Sequence, residues 1–131
     1  MDREAIRVEP LSSHLERLKS PSSMAVRHGD TIYVSSIAPL DPETGEVAVH
    51  APIERQTQLV MDQMKLCLES AGSGMDKVLK CNVYCTSVNH LSAVNQIYAR
   101  YFSADPPART FVNVLSWPGE FDIEIDCIAA L

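Results

Sequence analysis

At 131 residues the chain is long enough for one domain with its own packed core, with no need of metals or disulfides to staple it. Its formal charge of −6, with eleven scattered Lys and Arg, argues against nucleic-acid binding, which calls for a basic stripe. No run approaches the ~18 apolar residues of a membrane span, and MDREAIRVEP carries charges where a secretion signal needs its apolar stretch, so no membrane partner and a cytoplasmic setting are expected.

Residues 1–20 read as an N-terminal arm. Arg7-Val8 predicts the start of a short edge strand stopped by Pro10. Residues 12–19, SSHLERLK, offer cap-like serines for one or two helical turns, with a mobile arm as the alternative. Two β-rich runs, 24–28 and 31–36, flank Gly29-Asp30, which predicts a tight hairpin ended by Pro39. Residues 40–47 combine Asp-Pro with Thr-Gly and form a loop. Val60, Met61, Met64, Cys67, Leu68 and Ala71 share one stripe, so a helix is predicted from about Ile53 to Ser70, ended by Gly72 and Gly74.

Val78–Cys85 is a third β-run. A second helix follows, with Asn89 as its N-cap and Leu91, Val94, Tyr98, Tyr101 and Phe102 facing inward before Pro106. Asn95 falls on or beside that face, where its amide either bonds neighbouring backbone or serves as an inward polar group at a site. The last stretch holds two strands. In residues 121–127 Phe121, Ile123, Ile125 and Cys127 alternate with Asp122, Glu124 and Asp126, giving one core face and one acidic face. Residues 108–114 form the strand before it, and Pro118-Gly119 marks a turn, so the two are expected as antiparallel neighbours with Arg109 opposite Glu124 or Asp126. That arginine is either a cross-strand ion pair on a solvated face or a partly buried guanidinium with donors left for an acidic ligand. Pro106-Pro107 fixes the approach to it, and Phe111 on the same face favours the second reading.

Cys67, Cys81, Cys85 and Cys127 are expected as reduced core thiols. Cys81 and Cys85 lie ~13 Å apart along one strand, too far to share a metal. His14, His28, His50 and His90 share no ligand spacing. There is no GxSxG, no phosphate loop and no HExxH, so neither a metal nor a nucleotide site is expected. The element order ββαβαββ predicts a single α+β domain over residues 1–131, with two helices on one face of a mixed sheet.

Taken together, SSIAPLDPETGEV, the Ala-Gly that ends the long helix, VNQIYARYF, PPARTFVNV and FDIEIDCIA resemble the reactive intermediate deaminase family, also called YjgF or L-PSP. The resemblance runs from about residue 21 to the C-terminus. It implies the chorismate-mutase-like ββαβαββ fold, a homotrimer, and a ligand cleft at each subunit interface. It also implies cofactor-free hydrolysis of 2-imino or 2-enamino acids to 2-oxoacids and ammonia. On this resemblance Arg109 matches the arginine that clamps the substrate carboxylate, and Glu124 the acid that positions or activates water. Ser35 matches the family serine after the second hairpin strand, and Asn95 its helix asparagine. Two positions depart from the pattern. Ser22 stands where active members commonly have a tyrosine, and Phe111 where many have a cysteine; both point to a larger substrate, such as an unsaturated amino acid of the 2-aminomuconate kind. A non-catalytic trimeric binder of small carboxylates is the rival expectation, and a ribonuclease or translation inhibitor, disfavoured by the charge, is a third.

Overall fold

The computed structural model of the protein describes residues 2–131. Its strands are β1 (Arg3–Ile6), β2 (Ala25–His28), β3 (Thr31–Ile37), β4 (Val78–Cys85), β5 (Ala108–Asn113) and β6 (Ile123–Ala130). Its α-helices are α1 (Leu11–Arg17), α2 (Ile53–Ser70) and α3 (Leu91–Ala99). The six strands form one mixed sheet in the order β1-β2-β3-β6-β4-β5. Every pairing is antiparallel except that of β4 with β5.

Alternation in β6 does what the sequence demands. Ile123, Ile125, Cys127 and Ala129 are buried against the helices, while Glu124, Asp126 and Ile128 lie on the other, open face. The β2–β3 hairpin closes through Gly29-Asp30, with His28 opposite Thr31 and Gly29 at φ 60°, a left-handed conformation that glycine adopts without steric cost. α2 presents Val60, Met61, Met64, Cys67 and Leu68, all fully buried, to the sheet; each such side chain contributes ~1.5–3 kcal/mol of transfer free energy. It stops where its glycine predicts. Gly72 at φ 84° turns the chain, and the Ser73 and Gly72 N–H groups donate back to Leu68 and Glu69 carbonyls at 2.8 and 3.1 Å, satisfying the last turn.

Three expectations are corrected. The edge strand lies earlier than Arg7-Val8: β1 is Arg3–Ile6, and Val8 instead turns inward, 2% exposed, toward α1. Asn89 is not the cap of α3. Ser87 accepts from the Asn89 N–H at 3.1 Å, capping a single 3-10 turn, Val88–His90, that leads into Leu91. The largest correction concerns the last two strands. β5 and β6 do not pair, because β4 inserts between them, parallel to β5 and antiparallel to β6. Arg109 is therefore in register with Cys81, while Glu124 and Asp126 face Tyr84 and Asn82.

Candidate functional site

The register settles which face each side chain takes. Cys81 pairs with Cys127 on the buried face, so Arg109, aligned with Cys81 on the parallel strand, projects toward the helices. Glu124 is an odd number of residues from Cys127 and projects from the opposite face, beside Tyr84. Within one chain the two cannot touch. The expected Arg109–Glu124 pair is absent, and among the described residues no ion pair of any kind involves Arg109.

Arg109 is partly buried at the edge of a cleft of about 370 Å³ lined by Asn95, Tyr98, Ala99, Phe102, Pro106 and Pro107. Its guanidinium carbon lies over the Tyr98 ring, 4.9 Å from the centroid. Tyr98 in turn leans on Phe102, with ring centroids 4.9 Å apart at 50°. Phe111, two residues on from Arg109, occupies the same face and packs on the core. Asn95, expected at or beside the buried stripe of α3, is exposed at the rim of the cleft, because Val94, Ile97 and Tyr98 take the inward positions. One cation thus stands in a mainly apolar trough with the Asn95 amide at its rim, an arrangement suited to a carboxylate with an apolar body.

The open face carries the acid. Burial pushes the Glu124 carboxyl up to about 7; the Trp117 indole N–H that bonds it opposes this, and the neighbouring Asp126 charge adds to it. Asp126 is itself well satisfied, accepting from Asn82 Nδ2 at 2.9 Å, Tyr84 OH at 3.0 Å and Ser36 Oγ at 3.4 Å. A carboxyl with a pKa near neutrality can exchange a proton in either direction at physiological pH, the property a general acid/base needs. The loop that supplies Trp117 is braced by its stacking on Phe121, at 4.9 Å and 25°.

Ser35 lies within β3, at a bulge where the β3–β6 register shifts between Val34 and Ile37, and not after the strand. Its hydroxyl donates to the Ser23 carbonyl at 2.7 Å, and its N–H to that of Met24 at 2.9 Å. Ser22 is exposed, shares a hydrogen bond with Ser20 at 2.6 Å, and lines a separate cleft with Ile6, Arg7, Leu15 and Met24. Neither serine lines the Arg109 cleft of the same chain. All four cysteines are buried and unbridged, with burial holding the Cys67 thiol up to about 12. Among the described residues no three His, Cys, Asp or Glu side chains are grouped to hold a metal ion. Three contributors escaped the sequence: Tyr98, placed only in the core; Trp117, set in a turn; and Asp126, weighed solely as a partner for Arg109. The alternation that set Asp126 beside Glu124 on one face was the available signal.

Comparison with known proteins places these residues in context. The model of the family described as endoribonuclease L-PSP matches residues 15–131. A RutC family protein of Saccharolobus solfataricus is 42% identical over 109 residues, which are 83% of this chain and 86% of that protein. The chloroplastic Reactive Intermediate Deaminase A of Arabidopsis thaliana is 35% identical over 111 residues, 85% of this chain and 59% of that protein. Among solved structures, E. coli TdcF with bound serine superimposes with a TM-score of 0.79 at 28% identity, covering 85% of this chain and 88% of that one.

Proposed function

The chain belongs to the endoribonuclease L-PSP family, and from that premise we propose that it is a deaminase that hydrolyses 2-imino or 2-enamino acids to 2-oxoacids and ammonia. The observation that carries this reading is Arg109: a partly buried guanidinium over an aromatic ring, with no acidic partner among the described residues, at the mouth of an apolar cleft. Such a group can take a substrate carboxylate with both prongs of its fork. The serine held by TdcF, an amino acid with the same carboxylate, supports that choice.

The chemistry needs little more. Glu124, titrating near 7, takes a proton from a water that attacks the C=N carbon; the C–O bond forms and the C=N electron pair moves to nitrogen. Glu124 returns that proton to nitrogen, giving the carbinolamine; it then takes the hydroxyl proton and passes it to the amine, the C–N bond breaks, and ammonia leaves as the carbonyl forms. Arg109 and Glu124 lie on opposite faces of one sheet, so a substrate touched by both must sit between two chains. A homotrimer with a cleft at each interface meets this requirement. Its support is the unpaired outer edge of β5 and the exposed Tyr33, Leu79 and Val112 on the strands. In that assembly Asn95 and Phe111 line the Arg109 side, and Ser35 and Ser22 come from the neighbour with Glu124. The mechanism calls on no cofactor. No described helix is long and apolar enough to cross a membrane, and a cytoplasmic setting would keep the four unbridged thiols reduced.

An amino-acid oxidase that releases imines in the presence of semicarbazide tests the reaction. Added protein should lower semicarbazone yield in proportion to its concentration; an unchanged yield across alanine, leucine and phenylalanine imines would overturn it. The rival, a carboxylate binder without turnover, rests on Ser22, which brings no aromatic hydroxyl to any cleft. Calorimetric binding of 2-oxoacids with no effect on semicarbazone yield would decide for that rival. Sedimentation showing a 14.5 kDa species at micromolar concentration would remove the trimer and the shared cleft with it.

A further inference from the structure

We propose that Tyr98 is the positioning residue of the carboxylate site: its ring face holds the Arg109 guanidinium in place without consuming the donors that grip the ligand. This rests on Arg109 being the ligand anchor, as argued above. An arginine on a sheet edge has four rotatable side-chain bonds and must be held by something if it is to meet a ligand in one orientation. A carboxylate partner would do so at the expense of two N–H donors and most of the positive charge. Here no carboxylate fills that role among the described residues, and the group under the guanidinium is the Tyr98 ring at 4.9 Å. An aromatic face attracts the cation through its quadrupole and leaves the in-plane N–H groups and the charge available.

The ring itself is fixed by its packing. Tyr98 is 6% exposed, its hydroxyl is buried with no hydrogen-bond partner among the described residues, and Phe102 packs on it at 4.9 Å. Its place in α3 brings it there: it follows Val94, fully buried, by one helical turn, so the stripe that docks α3 on the sheet also sets the ring beneath Arg109. The sequence reads Tyr98 as core and nothing more, and by burial it is; its second role comes from β5, which lays Arg109 in register with Cys81.

Binding of 2-oxobutyrate and 2-oxo-4-methylpentanoate to the full chain, measured by calorimetry, tests this together with steady-state deamination. Tyr98→Phe keeps the ring and should bind within about twofold of the parent. Tyr98→Leu should bind about tenfold more weakly and raise KM by the same factor with kcat little changed. In an Arg109→Ala background the Tyr98→Leu substitution should have no further effect on binding, because its role passes through the guanidinium. Fluorinated phenylalanines at position 98, which keep the shape and drain the ring face of electrons, should weaken binding stepwise; they serve also if the leucine variant fails to fold. Equal binding by the fluorinated series, or an equal loss in the Arg109→Ala background, would make Tyr98 structural only. If the parent itself binds neither oxoacid, the anchor assignment of Arg109 falls, and that outcome is separate from an intact parent whose Tyr98 variants match it.

Discussion

Replacing Glu124 with glutamine probes the electrostatics and the chemistry of the open face together. The carboxyl titrates at about 7 in the fold against a reference of 4.5, chiefly because burial disfavours its charge. The gap between those values, at ~1.36 kcal/mol per pH unit, caps the cost of ionising it in the fold at ~3 kcal/mol. Residual exposure of the side chain screens part of that, leaving about 1–2 kcal/mol. The sign follows from proton counting. Between pH 4.5 and 7 the unfolded chain gives up this proton while the folded chain keeps it, so this group's contribution to stability falls as pH rises through that window and levels off above it. Glu124→Gln lacks the slope. Urea unfolding of both proteins at pH 4 and pH 8, at one fixed protomer concentration, should show the variant gaining about 1–2 kcal/mol on the parent at the higher pH. If Glu124 is also the base, parent kcat/KM should rise with pH through about 7, and the variant should lose ~10²–10⁴ in rate while still binding a 2-oxoacid. Two proteins that unfold in parallel at both pH values would mean the carboxyl is solvated, and a near-neutral base would have no basis.

Three further outcomes are expected. Asp126→Asn removes a negative neighbour and should move the acidic limb of the rate profile down in pH, whereas Trp117→Phe removes the hydrogen bond that favours the charged form and should move it up; limbs moving in the same direction would contradict the assignment. Arg109→Lys keeps the charge but not the planar fork, and should lower kcat/KM by about 10²-fold with an unchanged melting temperature, since no ion pair is lost. Gln56 is fully buried, donating to the Ala51 carbonyl at 2.9 Å and Asp122 Oδ2 at 3.1 Å and accepting from the Asp122 N–H at 2.8 Å. Gln56→Leu should therefore cost about 2–4 kcal/mol in urea unfolding, and a loss below ~0.5 kcal/mol would show that the network relaxes without it.

What could be read from the chain in advance was whatever local pattern decides. The stripe on α2, the Gly29-Asp30 turn and the alternation of β6 each follow from neighbours within one or two turns of sequence, and each is seen. Strand order is not a local property. Pro118-Gly119 marks a turn correctly, yet a turn between two strands does not oblige them to pair, and β4, formed from residues over twenty positions earlier, competes successfully for both edges. The site suffered from the same step. Arg109 and Glu124 were picked out by residue type and resemblance, but their relation depended on register, and a single intervening strand put them on opposite faces. Asn95 shows the limit of a helical stripe: Ile97, not Asn95, completes the inward set, and the amide falls at the rim.

The position of β6 also governs how this chain can be made. It is the last of the six described strands in chain order, and among them it alone joins β3 to β4. Until it emerges, the nascent polypeptide holds two sheet fragments, β1-β2-β3 and β4-β5, with the edges of β3 and β4 open and with Ile32, Val34, Cys81 and Val83 lacking their central neighbour. Helix α2 lies between the fragments in sequence and packs on both β3 and β6, so it too docks fully only at the end. Such long-range closure favours slow folding and leaves ribosome-bound chains with adhesive edges, the kind of intermediate that chaperones shield. The final eight residues of the sheet, Ile123–Ala130, therefore close the gap between its two halves, after which no interior edge remains to pair with another chain.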